Sequence, residues 1–177
     1  MDKVYTYDNP GIHGVQIHTA PSFSEDYRGL YRELWNKRMI TVDGEPVQFV
    51  EADISCNYRN VLRGIHGDDV TGKLITCLHG RFYLVVVDAR SDSGTKDQWF
   101  GITLTDKTFT SVYVPPGCGN GHLVLSDYAI FHYLQTRCYT GSEEQFTIAY
   151  DSPALDIYWP IDGAPITSER DKSCLNV

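Results

Sequence analysis

Three stretches of the 177-residue chain set ionisable groups among apolar residues and glycines. The first is Asp26-Tyr27-Arg28-Gly29-Leu30-Tyr31-Arg32-Glu33. The second is Asn60-Val61-Leu62-Arg63-Gly64-Ile65-His66-Gly67-Asp68, with Lys73 following. The third runs from Pro115 to Asp127 through Gly-Cys-Gly-Asn-Gly-His and continues to His132-Tyr133. Histidine changes charge near neutral pH and so suits proton transfer. Arginine binds phosphate or carboxylate through two parallel N–H donors. Arg-Gly and Gly-x-His pairs fit sharp turns, or strands where a ligand approaches the backbone closely. The same residues also have plainer roles. His13, His18, His79 and His132 read as hydrogen-bonded structural histidines. On spacing alone Arg28 and Arg63 could be surface ion pairs, which stabilise little, and Tyr133 a core residue with its hydroxyl satisfied. No GxGxxG, Walker or GxSxG element is present. Position 68 is Asp, so His66 lacks the second histidine of an HxH pair, and no metal is expected.

The elements that must position these groups are strands. Val15–Thr19, Val47–Ile54, Lys73–Leu78, Phe82–Asp88, Trp99–Leu104, Ser111–Val114 and Ala129–Gln135 are rich in Val, Ile, Tyr, Phe and Thr. His79-Gly80 predicts a tight hairpin between two of them. Pro115-Pro116-Gly117 ends another. Many short strands with turns imply an antiparallel sandwich or barrel. Phe82 to Val87 does not alternate, so a second sheet or a second subunit should cover its outer face. Ser168-Glu169-Arg170-Asp171 predicts a short helix capped by Ser168.

No linker interrupts the pattern, and a single domain over 1–177 is expected. The 15 basic and 23 acidic residues give a charge of −8, which argues against a nucleic-acid-coating protein. It does not argue against an anionic ligand, because a few arginines can reverse the field inside a cleft. Five cysteines without a CxxC pair suggest neither disulfides nor a zinc ribbon, but scattered buried thiols. The N-terminus carries no signal-like segment, and the densest apolar run is far below the roughly 20 residues of a membrane span. A cytoplasmic protein without membrane partners is expected.

The dispersed motifs resemble the dTDP-4-dehydrorhamnose 3,5-epimerase family. Asp-x-Arg-Gly-x-aromatic-x-Glu appears as Asp26, Arg28, Gly29, Tyr31 and Glu33. Leu-Arg-Gly-apolar-His appears as Leu62 to His66, followed by Lys73. Val87, Asp88 and Arg90, the late aromatic strand ending in Tyr133, Trp159-Pro160 and Ser168 to Asp171 complete the order. The resemblance implies an all-β cupin (double-stranded β-helix, jelly-roll) barrel with short peripheral helices, working without metal or other cofactor. It also implies a homodimer whose N-terminal strands pack across subunits.

The implied chemistry is inversion at C3, C5 or both of a nucleotide-linked 4-keto sugar. The implied catalytic set is His66 as base, Asp171 as its partner, Tyr133 as opposite-face acid and Lys73 at the enolate oxygen. Arg28 and Arg63 would hold the diphosphate, with Tyr31, Glu33, Glu51, Asp53, Asn120 and Tyr139 as further substrate-binding residues. Three departures stand out. Gly67 and Asp68 replace an aromatic residue and Gln. Glu51 and Asp53 replace Gln and Asn. Asn120 stands where the family has histidine, and His122 receives no role. The wording around Gly64–Asp68 and Gly119–Asp127 is similar to GDP-4-keto-heptose epimerases of capsule biosynthesis. A sugar-nucleotide 3,4-ketoisomerase and a non-catalytic sugar-nucleotide-binding cupin are the alternatives. A metal-dependent cupin oxygenase lacks its ligand cluster here.

Overall fold

The computed structural model describes residues 7–19, 22–108 and 110–172. It is built from strands β1 (Tyr7–Asp8), β2 (Gln16–His18), β3 (Ser22–Asp26), β4 (Gly29–Glu33), β5 (Thr41–Val42), β6 (Glu45–Pro46), β7 (Glu51–Tyr58) and β8 (Leu62–Gly67). Then follow β9 (Lys73–His79), β10 (Arg81–Asp88), β11 (Trp99–Thr105), β12 (Ser111–Val114), β13 (Cys118–Val124), β14 (Tyr128–Gln135) and β15 (Phe146–Thr147). A short helix, α1 (Glu169–Lys172), closes the described chain. Two antiparallel sheets form the body, ordered β1-β2-β12-β9-β14-β7 and β11-β10-β13-β8-β15. This is the cupin jelly roll. No helix among the described residues is long and apolar enough to cross a membrane.

The core lies between the sheets. Ile75 and Cys77 of β9, Phe82, Leu84 and Val86 of β10, Val112 and Val114 of β12 and Phe131 of β14 fill it. Alternation along these strands sends every second side chain inward. The outer face of β10 is also apolar. There Val85 and Val87 meet Ile65 and the chain's own Ile148, Leu155, Ile157 and Trp159. The cover is therefore the C-terminal segment, not a second subunit, so this strand gives no argument for a dimer.

Two expectations change. His79-Gly80 is not a hairpin turn: β9 and β10 belong to different sheets, and the chain crosses between them there. Gly80 has φ +76°, and a side-chain carbon would lie 2.2 Å from the Tyr128 carbonyl oxygen, so only glycine fits this corner. The strand expected over Val47–Ile54 runs over Glu51–Tyr58 instead. Val47 and Phe49 leave the sheet and pack with Trp35 on Met39, Ile40, Leu74 and Tyr113. The cysteines also divide: Cys77 and Cys118 are buried, Cys56 and Cys138 exposed, and Cys174 lies outside the described residues.

The Val87, Asp88 and Arg90 motif is a buried anchor. Asp88 is fully buried and accepts hydrogen bonds from Arg90 Nε and Nη2 (both 2.8 Å), Ser93 Oγ (2.6 Å) and Thr95 Oγ1 (2.7 Å). Burial alone would raise its carboxyl pKa, but these donors outweigh burial and hold it well below the usual range. A carboxylate depressed in the folded state stabilises above its unfolded pKa. That contribution is lost as pH falls below about 4 towards the folded value. Asp88→Ala takes the carboxylate from Arg90, leaving it the His13 carbonyl, and removes the acceptor for two hydroxyls. We expect a loss of about 3–5 kcal/mol, measured by urea unfolding at pH 7. A loss below 1 kcal/mol would contradict this role.

Candidate active site

The site grows out of the register of the six-stranded sheet. Lys73 pairs with Gln135, and Gln135 with Glu51; Ile75 pairs with Tyr133, and Tyr133 with Asp53; Cys77 pairs with Phe131, and Phe131 with Ser55. Directly opposed residues share a face. The inner face of this sheet therefore passes from apolar, at Cys77 and Phe131, to charged, at Lys73 and Glu51. On the opposing sheet β8 and β13 supply His66 opposite Asn120 and Arg63 opposite His122. Glycine lets these two strands approach. Gly64 has φ +118°, and a side-chain carbon there would lie 2.5 Å from Gly121 Cα.

A cavity of about 400 Å³ opens between the sheets. Arg63, His66, Lys73, Asn120, Tyr133, Tyr139 and Asp171 all line it, so seven of the residues singled out in the sequence come together. His66 Nε2 lies 2.7 Å from Asp171 Oδ1, which leaves Nδ1 for a substrate. Asp171 is 4% exposed and sits in the first turn of α1. Ser168 caps that turn as expected: its Oγ donates to Asp171 Oδ2 (2.7 Å) and accepts from the Asp171 N–H (3.2 Å). Burial would raise the Asp171 pKa, but the hydrogen bonds from His66 and Ser168 outweigh it and hold the carboxylate ionised. The cap thus fixes the residue that orients the imidazole.

The other polar groups are tuned by burial. Lys73 is 9% exposed. Desolvation lowers its ammonium pKa, Asp68 partly opposes this, and Arg170 adds to it. Tyr133 is shifted the other way, by burial first and then by the carboxylates of Asp53 and Glu51, so its phenol stays protonated. Glu51 and Asp53 share the Gln135 amide (2.8 and 3.1 Å), and Glu51 also accepts the Tyr139 N–H (3.1 Å). They stand behind Gln135 and Tyr139 rather than in the cavity wall.

Arg28, Tyr31 and Glu33 do not line the cavity of their own chain. They belong to the β3–β4 hairpin, which among the described residues pairs only with itself. Arg28 is bound to Asp26, and its side chain is 74% exposed. The expected convergence of Arg28 with Arg63 and Lys73 is therefore absent within one chain. His18 and His132 lie off the site; His18 is buried against Gln16 Oε1 (2.9 Å), and desolvation lowers its pKa to about 4.

Sequence reasoning missed Gln135, Arg170, Ser55 and His122, which also line the cavity. The signal for Gln135 is alternation with Phe131 and Tyr133 along one strand. Arg170 precedes Asp171 in the capped turn and bonds Thr147 Oγ1 (3.1 Å).

A carboxylate-oriented histidine sharing one cavity with a half-buried phenol, a lysine and arginines is what a proton-transferring isomerase acting on an anionic substrate requires. A family model described as dTDP-4-dehydrorhamnose 3,5-epimerase matches residues 10–177. The chain belongs to this family and is a carbohydrate epimerase. It is 35% identical over 155 residues to the dTDP-4-dehydrorhamnose 3,5-epimerase of Salmonella typhimurium, covering 85% of this chain and 84% of that relative. It is 36% identical over 169 residues to a dTDP-4-dehydrorhamnose 3-epimerase of Streptomyces niveus, covering 93% of this chain and 80% of the relative. Among solved structures, it superposes with a TM-score of 0.87 on the dTDP-6-deoxy-D-glucose-3,5-epimerase of Legionella pneumophila in complex with dTDP-4-keto-L-rhamnose. That pair is 30% identical, with 96% of this chain and 90% of the other covered.

Proposed function

We propose that the cavity inverts C3, C5 or both of a nucleoside-diphosphate 4-keto sugar. The observation that carries this reading is the His66–Asp171 pair sharing one cavity with Tyr133 and Lys73. A C4 ketone acidifies the C–H bonds at C3 and C5. His66 Nδ1 takes one of these protons, and the electron pair moves to the C4 oxygen as an enolate. Lys73 stabilises that oxyanion. Asp171 holds the imidazole tautomer and stabilises the imidazolium. Tyr133, on the opposite sheet, returns a proton to the other face of the carbon. Arg63 binds the diphosphate.

The substrate is a dTDP-4-keto-6-deoxyhexose or a GDP-4-keto-heptose of surface-polysaccharide biosynthesis. The ligand of the Legionella relative supports the first, and the wording around His66 and Asn120 supports the second. The name of the Streptomyces niveus relative supports a C3-only outcome as the nearest variant. We also assign Arg28, Tyr31 and Glu33 to the cavity of a second copy. Among the described residues their hairpin pairs with no other strand, and Tyr27 at its tip is 98% exposed. Light scattering at micromolar concentration should give a dimer; a monomer would remove this assignment.

Incubation with each 4-keto sugar nucleotide in deuterated water tests the reaction. Deuterium is expected at C3, C5 or both, read by NMR. No exchange with either substrate class would overturn the catalytic reading, and a 3-keto product would replace it with a ketoisomerase.

A further inference from the structure

The proposed reaction uses His66, Asp171, Lys73 and Tyr133 and leaves His122 without a task. Yet His122 is 4% exposed, lines the cavity and opposes Arg63 across the β8–β13 pair. Its ring stacks on Phe131 with centroids 4.2 Å apart and planes 15° apart. A polar ring in such a place needs hydrogen-bond partners.

Its partner is Asn57, itself 2% exposed. Two neighbours with no choice of role fix the Asn57 amide. The Arg63 Nε–H can only donate, and it lies 2.6 Å from Asn57 Oδ1. The Ser55 backbone carbonyl can only accept, and it lies 3.1 Å from Asn57 Nδ2. Asn57 Nδ2 also lies 3.4 Å from His122 Nε2. Nδ2 is a donor whose hydrogens are shared among the Ser55 carbonyl, Ser55 Oγ (3.0 Å) and His122. A ring nitrogen that faces a donor is the bare, accepting one, which assigns that role to Nε2. The ring proton is then on Nδ1. No described residue accepts from Nδ1, and it is not among the sealed, unpartnered buried atoms. It is open to the cavity.

Charge explains why this group is an imidazole. Burial first, and the Arg63 charge second, lower the His122 pKa to about 3, so the ring stays neutral. A buried cation at His122, beside the exposed Arg63, would carry a desolvation cost and repulsion. A neutral N–H adds a directed donor without either.

We propose that His122 is a substrate-binding residue whose Nδ1–H donates to the diphosphate held by Arg63, with Asn57 positioning both groups. The proposal rests on the sugar-nucleotide reading of the cavity and adds to it a neutral donor and the amide that orients the arginine.

The test uses the full chain, with dTDP and GDP as probes in calorimetry. His122→Phe keeps the stack on Phe131 and removes both nitrogens. It should weaken the diphosphate that binds the parent by about 10-fold, the usual size for a lost hydrogen bond to a charged group. KM for the sugar nucleotide should rise similarly, while kcat for deuterium exchange stays within about 2-fold, because a binding donor acts on the ground and transition states alike. Nitrogen-15 NMR of the unmodified protein, which needs no variant, should show the Nδ1–H tautomer and a shift of that proton when the probe binds. Equal affinity in parent and variant, an Nε2–H tautomer, or a fall in kcat at unchanged KM would each overturn the proposal for His122 alone. A parent that binds neither diphosphate and exchanges no deuterium would overturn the sugar-nucleotide reading, and this proposal with it.

Discussion

His66→Asn is expected to cut deuterium incorporation by about 10³-fold while leaving nucleotide affinity nearly unchanged, because it removes the base and little else. Asparagine has no atom at the Nε2 position, but Asp171 keeps both of its bonds to Ser168, so α1 and its cap should stay seated. What is lost is a nitrogen that takes a proton near neutral pH. The amide has no comparable basicity, and the C4 ketone alone does not acidify C3 enough for water to substitute. Asp171→Asn should give a smaller but still large loss, because an amide can hold the imidazole in the wrong tautomer and cannot stabilise the imidazolium. The measurement is the initial rate of solvent-deuterium incorporation by NMR, with calorimetry on the same preparations. Full activity in His66→Asn would remove His66 as the base. Lost activity together with lost nucleotide binding would mean that the variant disturbs the cavity, and His66 would then have no separate claim to the chemistry.

The strands of the core were legible because apolar β-formers mark them. Lys73–His79, Arg81–Asp88, Trp99–Thr105, Ser111–Val114 and Tyr128–Gln135 appear within a residue or so of the sequence reading. The two strands nearest the chemistry, Leu62–Gly67 and Cys118–Val124, were not legible as strands. Their glycines and polar residues break the β pattern so that the backbones can close on each other and on a ligand. The motif residues of the cavity were found by type, order and resemblance. Gln135 and Ser55 were not, because they are ordinary polar side chains whose meaning depends on register. Which residue of β7 faces which residue of β14 is a long-range fact that no local window contains. The same limit explains Arg28: its motif marks it as a phosphate binder, but a hairpin folded away from its own cavity gives no local sign of that.

Tyr133→Phe should divide the reaction rather than abolish it. The hydroxyl lies on the sheet opposite His66, so its removal leaves abstraction intact and takes away the opposite-face proton. Deuterium washout at the carbon that His66 reaches first should persist within about 10-fold, while net inversion there should fall by at least about 10²-fold. The pH dependence follows from the tuning of the pair. Burial, then Asp53 and Glu51, raise the Tyr133 pKa, so the phenol keeps its proton beyond its ordinary value of about 10 and does not set the alkaline limit. Lys73 is shifted down by burial, so its ammonium is lost below its ordinary value of about 10.4. The rate in the parent should therefore fall on the alkaline side as Lys73 loses its charge. Lys73→Arg should move that limb upward, because a guanidinium keeps its charge there. Asp53→Asn removes a carboxylate that raises Tyr133 and should bring phenol deprotonation to lower pH without moving the acid limb. Product ratios and washout, read by NMR from pH 6 to 10, separate these effects. Equal inversion and washout in Tyr133→Phe would show that the second proton comes from water or from His66 itself. The phenol would then be only a wall of the cavity, and inversion would require the sugar to turn between the two proton transfers.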